Sequence, residues 1–201
     1  MTKVEKNERL KKAPVIKELS RLASMKQFSK HQKLSDYAET IPDALLADRD
    51  IATALIEASS QFFSKLPEAL RADREMILLA LKNGASAEII PKHLANDKEI
   101  ALARVSANGW ALQELSEDFK SDVDIVITAG KRNSLSLKHT SLSLLTDKSK
   151  LLSLLETLPS ILEHCPDQIT GDKSFMLRAI ELEGYAYRFA SDDLKADSEV
   201  I

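Results

Sequence analysis

Four histidines and one cysteine carry most of the side-chain chemistry available to this chain, and their spacing limits what they can do. His31, His93, His139 and His164 never fall three or four residues apart, so no single helix offers a two-histidine face to a metal ion. Cys165 follows His164 directly, and adjacent residues point in different directions on a helix. His93 and Asp97 are four apart, but Asp97 is better placed to cap a helix than to serve catalysis. The carboxylate pairs Glu117-Asp118 and Asp192-Asp193 are sequence neighbours in short turn segments, where two adjacent acids are normally solvated and make no glycosidase-type pair. Phosphate-loop, dinucleotide, zinc-protease and C-x-x-C signatures are missing, as is a G-x-S-x-G nucleophile elbow. This inventory predicts no enzyme: no catalytic residue, no metal and no cofactor.

Binding is the remaining possibility, and two features suggest it. Residues 1–34 hold ten Lys or Arg against three Glu, a balance of +7, which leaves −10 for the rest of a chain whose net charge is −3. A basic arm containing Lys11, Lys12, Lys17 and Arg21 can meet nucleic acid, anionic lipid or an acidic partner, or be the solvated face of an amphipathic helix. Arg104 stands where other parts of the chain carry Leu or Ala, so it either snorkels to water or anchors a carboxylate or an anionic ligand. Trp110, the single tryptophan, reads as a core or stacking residue because Leu135 and Tyr185 occupy the corresponding positions.

The elements that hold these residues follow from a recurring pattern. Asp48, Asp73, Asp97, Asp122, Asp147, Asp172 and Asp197 are 24 or 25 residues apart throughout. With each Asp as position one, and with a one-residue deletion before Gly84 in the second unit, position 23 is always apolar: Leu70, Leu94, Phe119, Leu144, Ile169, Leu194. Position 20 is always Pro or Ser: Pro67, Pro91, Ser116, Ser141, Pro166, Ser191. Cys165 falls in an apolar column with Leu66 and Leu115, which makes it a core thiol.

Each column has a physical reason. An Asp at a helix start accepts hydrogen bonds from free N–H groups, and its charge suits the positive end of the helix dipole. Apolar residues at positions 4, 5, 8 and 9, such as Ile51, Ala52, Leu55 and Ile56, form a helical stripe. Asn83-Gly84 and Asn108-Gly109 offer residues that tolerate positive φ and end that helix. A shorter helix then follows, as at 110–115, and Pro or Ser opens one more turn before the next Asp. Within 133–144 the alternation of Ser and Leu imitates a strand, yet Ser141 and Leu144 keep their columns, so helix is expected there too.

One such unit buries too little surface to stand alone; its neighbours must supply the rest. The sequence thus predicts an all-α fold: a right-handed-type α-solenoid of about 25-residue helical repeats. An N-terminal capping helix precedes it, with Pro14 near its start and Val15, Ile16, Leu19, Leu22 and Ala23 as its apolar stripe. The expected division is a basic arm and capping helix at 1–24 and a repeat domain at 25–201. The latter comprises a partial unit at 25–47, six units from Asp48 to Ala196 and the beginning of another at 197–201.

Composition agrees. An apolar fraction of 44%, 29% charged residues and only five glycines favour helix over β-turns. One cysteine excludes an internal disulfide, no apolar run reaches membrane-span length, and the charged start lacks a signal-peptide core. A cytoplasmic chain is expected, or one delivered into a host cell by a specialised secretion system.

The segments Asp97-Lys98-Glu99-Ile100, Asn108-Gly109-Trp110-Ala111-Leu112 and Phe119-Lys120-Ser121-Asp122, with Gly184-Tyr185-Ala186 and Leu194-Lys195-Ala196-Asp197, carry a resemblance. The chain resembles the tandem repeat family catalogued as domain of unknown function 4116, over about residues 48–201. That resemblance implies helical repeats of a kind widespread in bacteria and single-celled eukaryotes, and no activity or catalytic residues. The functional expectation is a non-catalytic scaffold that binds another protein or peptide, such as a bacterial adaptor or effector. Nucleic-acid binding through the basic arm is the alternative.

Overall fold

A computed structural model describes residues 3–25 and 27–200, and the side chains of all of these except 3–10, 27–30 and 87. Every regular element among the described residues is helical. The chain divides into two compact units, residues 1–95 and 96–201.

The first unit begins with α1 (Lys3–Ala23) and α2 (Gln27–Glu39), followed by α3 (Asp43–Leu46), α4 (Arg49–Ala58), α5 (Glu68–Arg71) and α6 (Arg74–Lys82). Short 3-10 segments lie at Ser60–Lys65, Ala87–Ile89 and Lys92–Leu94. Helix α1 lies on α4, with Leu19 and Leu22 buried. Helix α1 packs against α2 and α4 within this unit. Pro14 sits inside α1, not at its start. A proline there withdraws one N–H from the helix, a loss that the packing of Leu19 and Leu22 offsets.

In the second unit one order of elements recurs. It runs α7 (Lys98–Ala107), a 3-10 segment Gly109–Glu114, α8 (Glu117–Lys120); then α9 (Val123–Arg132), Ser134–His139, α10 (Leu142–Leu145). It continues α11 (Lys148–Leu155), Pro159–His164, α12 (Asp167–Thr170); then α13 (Lys173–Leu182), Gly184–Phe189, α14 (Asp192–Lys195). Helix α7 packs on α9, and α11 on α13, while each 3-10 segment lies against the next. Their apolar stripes merge in one cluster running from Ala101 to Leu194, through Ile125, Val126, Leu151, Leu154, Phe175 and Met176.

The long helices begin as their sequences dictate. Asp48, Asp73, Asp97, Asp122 and Asp147 are extended N-cap residues, each accepting from the N–H groups two and three residues on. Asp172 accepts from Phe175 N–H and from the Ser174 hydroxyl. The Pro or Ser that opens each short helix is its N-cap, one residue earlier than the N1 position expected for proline. The Ser-Leu stretch forms a 3-10 segment and α10, not a strand.

Two local expectations need correction. The shorter helix around Trp110 is 3-10: Leu115 N–H reaches Leu112 O at 3.2 Å, and Ala111 N–H reaches Asn108 O at 2.9 Å. Six residues between an extended residue and the next cap leave little room for α-turns. Among the described residues only Gly84 has a positive φ, +86°, and it ends α6 in a Schellman arrangement with Ala85 N–H on Ala80 O at 2.9 Å. Gly109 instead answers a close approach. A Cβ there would stand 2.6 Å from the Ala129 carbonyl oxygen and 3.0 Å from Asn133 Cβ.

Candidate functional site

The groups that could do chemistry remain dispersed. His31 lies in α2, His93 in the 3-10 segment Lys92–Leu94, His139 at the end of Ser134–His139 and His164 in Pro159–His164. Among the described residues no three His, Cys, Asp or Glu side chains gather in a way that would hold a metal ion. Cys165 Sγ donates to Ile161 O at 3.7 Å, and burial pushes its thiol up to about 12. A protonated, half-buried thiol is a poor nucleophile. Glu117 forms a local ion pair with Lys120 at 3.0 Å, and Asp192 and Asp193 lie exposed in the first turn of α14.

Arg104 answers both of its expected readings in part. Its side chain is 13% exposed and its guanidinium reaches Glu114 at 2.5 Å, while Nε is buried without a hydrogen-bond partner. The anchor therefore holds a carboxylate of its own chain. Trp110 is half-buried, with the His139 ring edge-on at 5.7 Å and Lys138 Nζ 4.8 Å from its ring centroid. These contacts make Trp110 a stacking residue.

The basic arm is partly spent. Lys12 pairs with Asp48 and, at 3.5 Å, with Asp50; Arg21 pairs with Glu18 at 2.6 Å. Lys11 and Lys17 remain exposed. Lys11 and Lys12, with Pro42, Leu45 and Asp48, line a pocket of about 380 Å³ between α1 and α3.

Sequence reasoning missed a ladder of charges. The first residue of one long helix reaches the acids at the start of another: Arg49 to Asp73 at 2.9 Å and to Glu75 at 2.8 Å. Lys98 reaches Asp122 and Asp124, both at 2.8 Å; Lys148 reaches Asp172 at 2.5 Å; Lys173 reaches Asp197 at 2.7 Å and Glu199 at 2.6 Å. Lys12 on α1 plays the same part toward Asp48 and Asp50, which ties the first helix into the scheme. The cation that follows Asp48, Asp73, Asp97, Asp147 and Asp172 was visible in the sequence as a column of its own. Val123 breaks the ladder, and among the described residues no cation pairs with Asp147.

The paired carboxylates respond as electrostatics requires. Arg49 holds the Asp73 carboxyl below the usual range, Lys148 does the same to Asp172, and Lys173 to Asp197. The departures on the surface lie elsewhere: Leu135 is 65% exposed and Leu142 64%, with Leu182 and Tyr185 less so.

The recurring element order matches a known family. Residues 97–145 and 147–195 each fit the model described as domain of unknown function DUF4116. Residues 97–195 thus carry two tandem DUF4116 copies. Each copy spans two long helices with their 3-10 segments, and the broken rung at Val123 and Asp147 lies between the copies. No curated protein and no solved structure matches the chain. Among the described residues, no helix is long and apolar enough to cross a membrane.

Proposed function

We propose that the chain is a right-handed-type α-solenoid of about 25-residue helical units that binds another protein or peptide without catalysing a reaction. The observation that supports this best is where the surface is apolar. The exposed large apolar side chains among the described residues, Leu135, Leu142, Leu182 and Tyr185, all belong to the two DUF4116 copies. They sit on or beside the 3-10 segments, which lie against one another in sequence order. Apolar side chains held by a rigid layer cost solvation in the free protein and become useful when a partner covers them.

In this reading the charge ladder and the merged core keep the layer in shape, and the protein serves as an adaptor or effector of a bacterial cell, in the cytoplasm or delivered to a host. The nucleic-acid alternative is weaker, since Lys12 and Arg21 are neutralised by Asp48 and Glu18. Affinity capture with the intact chain, with and without nuclease, tests the choice. A protein recovered in stoichiometric amount and retained after nuclease treatment supports the scaffold. Recovery of nucleic acid alone, weakening steeply with salt and requiring residues 1–34, would overturn it.

A further inference from the structure

The segment 125–146 departs from the rest of the chain in its lack of acids and in its exposed leucines. It contains no Asp or Glu, although the chain outside residues 1–34 carries a balance of −10. It exposes three cations, Lys131, Arg132 and Lys138. It also exposes two leucines, at 65% and 64%.

The position of Leu142 is the most telling. It is the first residue of α10, where α5, α8, α12 and α14 begin with Glu68, Glu117, Asp167 and Asp192. An acid suits a helix start and a solvated leucine does not, so the substitution gives up local stability. Leu135 stands in a 3-10 segment with Lys138 three residues on. Side chains at that spacing eclipse one another in a 3-10 helix, so an exposed leucine and an exposed ammonium share one face. Lys138 is steadied there by the Trp110 ring at 4.8 Å. The carboxylates Glu114 and Glu117 of the preceding elements are already engaged by Arg104 and Lys120. Burial first, then Lys138 and Lys120, lower the pKa of His139.

We infer that the exposed surface of segment 125–146, where Leu135, Lys138 and Leu142 stand, docks an extended, acidic segment of a partner protein that presents two large apolar side chains. The leucines receive the apolar residues, and Lys131, Arg132 and Lys138 receive the carboxylates. Leu135 and Leu142 are seven residues apart, which bounds their separation at about 25 Å, within reach of eight or so extended residues. This inference rests on the scaffold reading and assigns it a place and a partner chemistry.

The test uses the full chain and a display library of twelve-residue peptides built from Asp, Glu, Lys, Arg, Leu, Phe, Trp, Ser and Gly. Selection on the wild-type chain is set against the double variant Leu135→Ser, Leu142→Glu. Leu142→Glu restores the residue type that begins the other short helices, so it carries the comparison alone if the double variant does not fold. The winners should be net negative with two or more large apolar residues. They should lose at least about tenfold in affinity on the double variant and on Lys138→Glu, and weaken several-fold from about 50 to 300 mM salt.

Net-positive winners, or winners that bind the variants equally, overturn the inference, as does a library that yields none. Concentration-dependent self-association of the wild-type chain, abolished by the double variant, would assign the face to a second copy instead. Leucine-dependent binding to phosphatidylserine vesicles would assign it to a membrane. A captured protein that still binds the double variant overturns this site and leaves the scaffold reading standing.

Discussion

Lys98 Nζ lies 2.8 Å from Asp122 Oδ2, so the first residue of α7 holds the residue that caps α9. The same Asp122 carboxylate accepts from Asp124 and Ile125 N–H, which makes one side chain both the start of a helix and a tie to its neighbour. Asp122 first, then Asp124, push the Lys98 ammonium up to about 12. The tie is electrostatic and exposed, so its contribution is modest; the apolar cluster beneath it carries most of the stability.

Capping and pairing can be separated by choosing the right two aspartates. Asn caps about as well as Asp but brings no charge. Asp147→Asn, where no described cation pairs, should leave the urea midpoint nearly unchanged. Asp172→Asn breaks the exposed Lys148 pair and should lower the midpoint slightly. Asp172→Ala removes cap and pair together and should lower it clearly further, since replacing a helix cap by Ala typically costs about 0.5–2 kcal/mol. Equal losses for the two Asn variants would mean that the ladder contributes nothing.

Acid should loosen the ladder. Asp73, Asp172 and Asp197 are held below their ordinary values by Arg49, Lys148 and Lys173, so the unfolded chain binds protons more readily than the folded one. Their contribution is fully present above an unfolded carboxylate pKa of about 4 and is lost as pH falls through that value toward the lower folded ones. Denaturant midpoints measured from neutral pH to about pH 3 should fall, and fall less in Lys148→Met, which has one pair fewer to lose.

The glycines offer a test of packing. Gly109→Ala places a methyl 2.6 Å from the Ala129 carbonyl oxygen and should cost about 1–3 kcal/mol, because that oxygen belongs to the backbone of α9. Gly184→Ala meets nothing within 4 Å and has no positive φ, so it should be neutral or stabilise by about 0.4–1 kcal/mol. Thermal unfolding of the two variants distinguishes them directly.

Cys165 should be unreactive. With its thiol raised by burial, alkylation by iodoacetamide at neutral pH should be far slower than for a free thiol, and denaturant should restore the ordinary rate. Rapid alkylation of the folded chain would mean that α12 and its 3-10 neighbour open readily.

The helical class and the Asp caps were legible because both depend on a few adjacent residues: a periodic stripe and an oxygen within reach of N–H groups. Features that depend on distant residues were not. Gly109 looks in sequence like a helix stop, and only the approach of Ala129 reveals its packing role. Pro14 resembles a helix start, yet α1 runs through it. The cations that follow most of the capping aspartates were readable as a column, but their partners lie 24 residues away in sequence, as with Arg49 and Asp73. Leu142 falls in a column that otherwise holds Glu68, Lys92, Glu117, Asp167 and Asp192, so its exposure follows the repeat although its residue type does not.

Shared burial is the claim on which every proposed surface depends, and amide hydrogen exchange on the intact chain probes it. Leu154 is fully buried in the cluster that joins both DUF4116 copies. Leu154→Ala should cost about 2–5 kcal/mol and raise exchange in α7 and α9 as well as in α11 and α13. Faster exchange confined to residues 147–195, with α7 and α9 as protected as in the wild-type chain, would contradict it.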